Sequence, residues 1–512
     1  EEAAMPIRPS SGYQSQHDFT TLEPGKSQTF ANELFLENDY TEVALSVTAD
    51  PTSRLERSVR FLSHYPYGCI EQTVSGLMPL YLLRTRRDMV RRLMPNDEDL
   101  NTRIEAGIQR IFTIQTPNGG LSFWPGGYEP YPYGSLYALH FLSILKNDRQ
   151  FTIPDAPYKG LQRYARSVAS DWSDNSESHL YQRAYALYVL ALGGDAEAVK
   201  QIRRFDNIIM PQPGRYLLAA ALAYATQDAD RVKMYLTQMP SAPYEAVEQS
   251  AALSSDIRNK AVELMALQQM GGDPSEIHER AETLIRFFED RGYGNTQETA
   301  FAITALCAYL AELSRTLTNP SATIVARGAE HRITGGDLYT DRHTGPGGSY
   351  VVTNTGESPM FVNLTTQGFL KNPSTDPVRK GIGIEREILT KDGVPHGEAE
   401  YRQTDTFIVH LTIHADRTME TQTKQSYVRE NLVVVDMLPA GFEIENPRLA
   451  KDPPSVKTGD GVTPAYTDIR DDRIVLAFGR LEPGTYHYYY VVRAVTPGVY
   501  QYPAAAAECM YD

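Results

Sequence analysis

Apolar and polar positions change period twice along the 512 residues. Residues 25–50 hold short apolar runs such as VALSV bounded by turn residues, which predict strands. Ser53 and Glu56 then form a capping-box pattern, and Leu55, Val59 and Leu62 follow at helical spacing. From there to residue 316 the apolar period predicts roughly a dozen helices, among them RIEAGIQRIFTIQ, SLYALHFLSIL, LYQRAYALYVLAL, RYLLAAALAYAT and TQETAFAITALCAYLAEL. Many carry Ala and Leu around their whole circumference, as helices buried between neighbours do. Two glycine-rich stretches, TPNGGLSFWPGG and DRGYGNTQETAFAITAL, each run into such a helix, a weak repetition that favours a ring of helical hairpins. After residue 316 the period returns to two. Phe407, Val409, Leu411 and Ile413 alternate with Ile408, His410, Thr412 and His414, and RIVLAFGRLEPGTYHYYYVVRAV reads as two strands joined at Leu-Glu-Pro-Gly.

The first β segment has too few strands to stand alone, so it is expected to pair with strands after the helices, such as GSYVVTNTG and MFVNLTTQGFL. The predicted organisation is residues 1–50 as a linker and the first part of a β domain, 51–316 all helical, 317–385 the second part of that β domain, and 386–512 a C-terminal β-sandwich.

A net charge of −15 disfavours nucleic-acid binding, since phosphate neutralisation needs a basic surface. The one basic run, RTRRDMVRR, reads as a solvated helix face. Three well-separated cysteines, Cys69, Cys307 and Cys509, with no CxxC and no HExxH, predict neither a disulfide framework nor a metal site, and no cofactor is expected. No apolar run reaches the length of a membrane helix. A sequence opening on Glu-Glu without Met is expected to be cut from a longer chain.

The chemistry concentrates in HYPYGCIEQT at residues 64–73. With Cys69 and Gln72 on the first turn of one helix, the two side chains are neighbours on one face. The thiol can displace ammonia from the glutamine amide and leave an internal thioester, an acyl donor for amines and hydroxyls. Such a bond must be kept dry. Tyr65 and Tyr67 flank it as amphipathic shields, Gly68 allows close backbone approach and Pro66 stiffens the entry. Backbone N–H groups at the helix start are placed to stabilise the oxyanion of acyl transfer. The plain alternative is a buried cysteine beside unrelated polar residues; Cys-x-Glu-Gln arises by chance on the order of once in a hundred chains with three cysteines.

YPYGCIEQT resembles the thioester motif of the alpha-2-macroglobulin and complement superfamily, and the likeness continues through GGLSFWPGG, GNTQETAFAITAL, VVDMLPAGFEIENPRL and VVRAVTPGVYQYPAAAAECMYD. The last two resemble bacterial alpha-2-macroglobulins. The resemblance implies an α/α-toroid thioester domain inserted in a CUB-like β domain and followed by a macroglobulin-type sandwich. It implies a broad-spectrum protease inhibitor, not an enzyme, in which cleavage of an upstream bait region exposes the thioester, which acylates a lysine of the protease. Bacterial members are expected in the periplasm, lipid-anchored to the inner membrane, with a penicillin-binding protein as a partner. Ile70 departs from the glycine that many members carry there. Hydroxyl-directed members use a histidine on a later helix; LYQRAYALYVL holds none after His179, so an amine-directed reaction is expected. This chain opens only about fifty residues before the helices, so the bait is expected to lie outside it and shielding to rest on Tyr65, Tyr67 and the sandwich.

Among the remaining residues, His64 reads as a turn histidine rather than an acyl-transfer catalyst, and Glu71 as a residue holding the local turn. Trp124 reads as a core residue under a glycine turn rather than a sugar platform, and the tyrosines of residues 486–492 either cover the thioester or pack in their strand. Two rival classes are a thioester adhesin bonding surface ligands and a helical-ring glycosidase or cyclase. The latter needs paired carboxylates or an Asp-rich motif; no DDxxD is present, and Asp97 and Glu98 lie in a polar loop.

Overall fold

A computed structural model describes residues 13–31, 41–65, 67–94, 99–226, 228–239, 241–242, 253, 255–345, 348–369, 376–397, 400–416, 429–445 and 461–511. Asp97, Glu98 and Pro66 lie outside the described residues.

Among the described residues three strands, β1 (Tyr13–Leu22), β2 (Ser27–Ala31) and β3 (Glu42–Thr48), precede the helices. The helices are α1 (Glu56–Ser63), α2 (Ile70–Leu82), α3 (Arg87–Leu93), α4 (Leu100–Thr113), α5 (Pro132–Asp148), α6 (Asp155–Ser170), α7 (Glu177–Leu192), α8 (Ala196–Lys200), α9 (Gln212–Thr226), α10 (Ala229–Lys233), α11 (Asp256–Met270), α12 (Pro274–Arg291) and α13 (Thr296–Leu313). Two short strands among them, β4 (Met210–Pro211) and β5 (Ser241–Ala242), pair in parallel. Contacts run α2 to α5, α5 to α7, α7 to α9, α9 to α11, α11 to α13 and α13 back to α2, so six helices close a ring. These helices are enclosed on nearly every side; α7 is buried without interruption from Leu180 to Ala191. Helices α4, α6 and α12 lie outside the ring with one apolar face inward, as α6 shows by burying Tyr158, Leu161, Tyr164 and Ala165 while exposing its charged side. Outside the ring, Trp172 is held between the guanidinium groups of Arg183 and Arg204.

The entry to the helices differs from the capping-box expectation at Ser53. Asp50 is the cap, accepting the Thr52 N–H at 3.0 Å, and Pro51 opens a 3-10 turn over Pro51–Leu55 before α1 starts at Glu56. A proline just inside the start needs no N–H donor, so the cap falls on the residue before it. Glu56 is buried and accepts from Ser46 Oγ at 3.3 Å, tying α1 to β3.

After the helices come β6 (Ser321–Ala326), β7 (Ala329–Thr334), β8 (Leu338–Thr344), β9 (Ser349–Asn354) and β10 (Met360–Phe369). They pair with the early strands in two sheets of order β1-β10-β3-β8 and β2-β9-β6-β7. Leu22, Phe30, Val43, Leu45, Ile324, Tyr350, Val352 and Val362 share one core between these sheets. The helices therefore leave and re-enter a sandwich built from both sides of the insertion.

The last unit comprises β11 (Ile382–Thr390), β12 (Thr406–Ala415), β13 (Arg429–Met437), β14 (Phe442–Ile444), β15 (Tyr466–Ile469), β16 (Arg473–Leu481), β17 (Gly484–Ala494) and β18 (Ala506–Cys509). Its sheets have the order β11-β12-β17-β14 and β15-β16-β13-β18. The unit starts earlier than the expected residue 386, because β11 begins at Ile382 and pairs along its whole length with β12. Its solvent-facing Glu385 and Glu387 mask the strand pattern in the sequence. In β13 and β16, Leu432, Val434, Ile474, Leu476 and Phe478 fill the sandwich, whereas Val433, Val475 and Ala477 join the core of the helical ring. This sheet is covered on both faces, which is why both strands read as unbroken apolar runs. Within the sandwich, buried Asp436 accepts from Arg386 Nη1 at 2.5 Å and from Tyr490 Oη at 2.6 Å, and Arg386 Nη2 donates to the Pro503 carbonyl at 2.7 Å.

Candidate functional site

Helix α2 starts immediately after Cys69, which is its N-cap with extended backbone, φ −64° and ψ 173°. Cys69 Sγ accepts the Gln72 N–H at 3.5 Å. Gln72 reaches back, and its Oε1 accepts from the N–H of Gly68 at 2.8 Å and of Cys69 at 3.2 Å. This is a reciprocal capping box with a thiol where serine or threonine usually stands. It puts the sulfur and the amide carbonyl on one turn, with the carbonyl oxygen between two donors at the positive end of a helix.

Gly68 is needed for that geometry. Its φ is +84°, a left-handed conformation, and a Cβ there would stand 3.0 Å from Arg110 Nη2. Arg110 donates to the Gly68 carbonyl at 2.6 Å and so holds the peptide whose N–H faces Gln72. Ile70 is fully buried, and its N–H donates to the Phe123 carbonyl at 3.0 Å. Its side chain fills the space left by Gly134, where a Cβ would come 2.7 Å from Ile70 Cγ2, so the bulk at this position is accommodated by packing and leaves the turn intact.

The chain's other end closes the site. Strand β18 pairs with β13 and carries Met510 and Tyr511, both buried, onto the start of α2. Tyr511 Oη lies 3.7 Å from Cys69 Sγ, and Gln72 Nε2 rests against Met510 Sδ. Cys69 is 0% and Gln72 6% exposed. The tyrosines of residues 486–492 do not cover the site. They belong to β17, where Tyr490 turns into the sandwich to meet Asp436. Tyr65 and Tyr67 are half-buried with rings edge-on at 5.5 Å, and Tyr67 lies close to Glu508 of the closing strand. Trp124 stacks flat on Tyr466 of the sandwich at 4.8 Å, making it a residue of the ring-sandwich interface as well as of the core.

Glu71 has a wider role than a local turn. It is fully buried and accepts four hydrogen bonds: from Ser75 Oγ and Gln297 Nε2 at 2.5 Å, Thr296 Oγ1 at 2.8 Å and Tyr511 Oη at 2.7 Å. It thus joins α2, the start of α13 and the C-terminal residues. Asn295, the N-cap of α13, adds a bond from Nδ2 to the Tyr511 carbonyl at 3.4 Å. Burial pushes the Glu71 carboxyl above its ordinary range against the pull of these bonds. Burial, then the nearby Glu71 charge, pushes the Cys69 thiol far up, so it rests as S–H. His64 ends α1, hydrogen-bonded through Nδ1 to the Arg60 carbonyl at 2.9 Å. His140 on α5 is buried against Tyr185 Oη at 3.1 Å and pulled down to about 4 by burial. Sequence reasoning missed Arg110, Ser75, Thr296, Gln297, Met510 and Tyr511; NTQE and the terminal ECMYD carried the signal for four of them.

The bacterial alpha-2-macroglobulin MG10 domain model matches residues 381–512, the unit that opens with β11. Over 538 residues the chain is 25% identical to the alpha-2-macroglobulin of Escherichia coli (strain K12), covering 99% of this chain and 31% of that protein. It is 22% identical over 544 residues to the Yersinia pestis homologue, covering 99% and 26%. Salmonella alpha-2-macroglobulin reacted with methylamine superposes with a TM-score of 0.79 at 26% identity, over 98% of this chain and 33% of that one. Along nearly its whole length the chain is thus similar to bacterial alpha-2-macroglobulins. Native E. coli alpha-2-macroglobulin from domain MG7 to the C-terminus shares the fold, with a TM-score of 0.78 at 23% identity over 98% of this chain and 80% of that chain. The chain spans under a third of these bacterial alpha-2-macroglobulin sequences. Among the described residues no His, Cys, Asp and Glu group together to hold a metal ion, and no helix is long and apolar enough to cross a membrane.

Proposed function

We propose that Cys69 and Gln72 form an internal thioester, and that the protein to which this chain belongs is an inhibitor that traps attacking proteases through it. The ring is then the α/α-toroid thioester domain and the split sandwich its CUB-like host. The observation that carries the reading is the Gln72 carbonyl oxygen, held by two backbone N–H groups on the same turn as the Cys69 sulfur, in a site sealed by Met510 and Tyr511. A lysine amine attacks Gln72 Cδ, the oxyanion grows between the Gly68 and Cys69 N–H groups, and the sulfur leaves, taking up a proton as a free thiol. The protease is left joined by an amide. Protection of the bacterial envelope from the periplasm, with an inner-membrane anchor and a penicillin-binding protein nearby, follows from the family resemblance.

Intact mass tests the bond. The chain is expected one ammonia lighter than its sequence, Cys69→Ala is expected at full mass, and methylamine is expected to add its own mass while releasing one thiol. Incubation with a protease should give an adduct that survives denaturation and is absent with Cys69→Ala. Full mass in fresh protein with Cys69 at once titratable after unfolding would sink the reading; bonding to surface ligands in preference to proteases would favour an adhesin.

A further inference from the structure

Resting on the thioester reading, a second question is how the bond forms inside a sealed site. The thiol there is neutral, and it stays neutral because it is both buried and beside Glu71. A free thiolate is therefore not the attacking species, and the sulfur has to lose its proton as it bonds to carbon. Among the described contacts of Cys69 Sγ, the Gln72 N–H donates to the sulfur and has no lone pair to take a proton, whereas Tyr511 Oη at 3.7 Å is a hydroxyl that both accepts and donates. That hydroxyl donates onward to Glu71 Oε2 at 2.7 Å. Sulfur, hydroxyl and carboxylate form a continuous chain, and the carboxylate end is buried, fixed by Ser75, Thr296 and Gln297, and suited to receive a proton.

We propose that Tyr511 and Glu71 form a proton relay that assembles the thioester, so that the residue covering Cys69 also helps to make the bond. The Sγ–H proton passes to Tyr511 Oη as the Tyr511 proton passes to Glu71. The sulfur electron pair forms the S–C bond at Gln72 Cδ, and negative charge collects on Oε1 between the Gly68 and Cys69 N–H groups. On collapse the C–N bond breaks, and the proton held by Glu71 returns through the same hydroxyl to the departing nitrogen. Thiol and amide become thioester and ammonia, with no net gain or loss of protons and no other reactant. Tyr511 touches the reacting sulfur; Glu71 acts through it. Assembly therefore requires the sandwich to be docked, and the bond is made only where it is already protected.

Tyr511→Phe keeps the covering ring and removes the hydroxyl; Glu71→Gln keeps the shape and removes the base. Unreacted chains are recovered unfolded, refolded, and followed by intact mass for ammonia loss and by fragment mass at residue 72. Wild type is expected to lose ammonia, and both variants to lose it about a hundredfold more slowly or more, keeping Gln72 as an amide with a free thiol. A residue that only covers the site gives a different signature: Tyr511→Phe would form the bond and lose it to water, leaving glutamate at residue 72. That result, or wild-type rates of ammonia loss in both variants, overturns the relay. Folding of each variant is checked by circular dichroism, and a pH profile separates the relay from structural damage. Glu71 faces Cys69, Tyr65, Tyr131, Tyr137 and Tyr511, all held protonated mainly by burial, with Arg258 charged behind the tyrosines. The wild-type rate is thus expected to rise with pH as Glu71 ionises, above the ordinary carboxylate range, and Glu71→Gln to show no such rise. A flat wild-type profile counts against the relay. If wild type itself keeps Gln72 as an amide, the thioester reading fails and the relay with it.

Discussion

Replacing Gly68 by alanine perturbs the donors that hold the Gln72 carbonyl. At φ +84° an L-residue is strained by about 1–2 kcal/mol, and its Cβ would press on Arg110 Nη2 at 3.0 Å. Two relaxations compete. The backbone keeps its turn and the chain loses that stability, or residue 68 rotates to negative φ and swings its N–H away from Gln72 Oε1, which it now meets at 2.8 Å. The Arg110 bond to the Gly68 carbonyl resists rotation but is itself displaced by the new methyl. Losing one of two donors to a developing oxyanion costs about a hundredfold to a thousandfold in rate, or roughly 3–4 kcal/mol of barrier. Gly68→Ala should therefore both melt lower and react more slowly with methylamine once the sandwich is removed as a barrier by mild denaturant, with thiol release as the readout. Arg110→Ala, which frees the carbonyl side only, should lose less. Wild-type stability together with a wild-type aminolysis rate in Gly68→Ala would refute the oxyanion argument.

Asp436→Ala should destabilise the chain by about 3 kcal/mol in chemical denaturation, because it leaves the largely buried Arg386 without its partner; Asp436→Leu with Arg386→Met should recover most of the loss. His140 binds its proton near pH 4 when folded and near 6.5 when unfolded, so the unfolded state gains protons first as pH falls. Melting temperature is expected to drop from pH 6.5 towards 4, and His140→Gln to flatten the drop; equal slopes would remove His140 as a cause. Tyr466→Ala deletes a ring stack worth about 1 kcal/mol between sandwich and ring, and should speed methylamine consumption about fivefold if undocking limits access.

How far the sequence reveals this architecture depends on whether the signal is local. The ring helices are plain in the sequence because burial all round leaves runs such as LYQRAYALYVLAL, and Cys69 and Gln72 are plain because three residues of spacing set their geometry. The covering residues are not, because 442 positions separate Cys69 from Tyr511 and nothing in ECMYD states which helix it meets. The tyrosines of β17 drew attention by their number, yet strand alternation sends Tyr490 into the sandwich. Glu71 looked local for a similar reason: its partners Thr296 and Gln297 belong to a helix that closes the ring only in three dimensions. One three-dimensional clue was present in one-dimensional form. The unbroken apolar runs of β13 and β16 signal a sheet covered on both faces, and the second cover is the helical ring.

The flat pairing of Trp124 with Tyr466 also gives the molecule an optical label. The chain has two tryptophans, and they sit in unlike places. Trp124 is 7% exposed only while the sandwich lies on the ring, whereas Trp172 is held by Arg183 and Arg204 within the helical unit itself. When the two units part, Trp124 emission should move to the red as water replaces the tyrosine ring, and Trp172 should keep its colour as an internal reference. Opening and thiol release can then be timed separately in one cuvette, with no dye attached near Cys69.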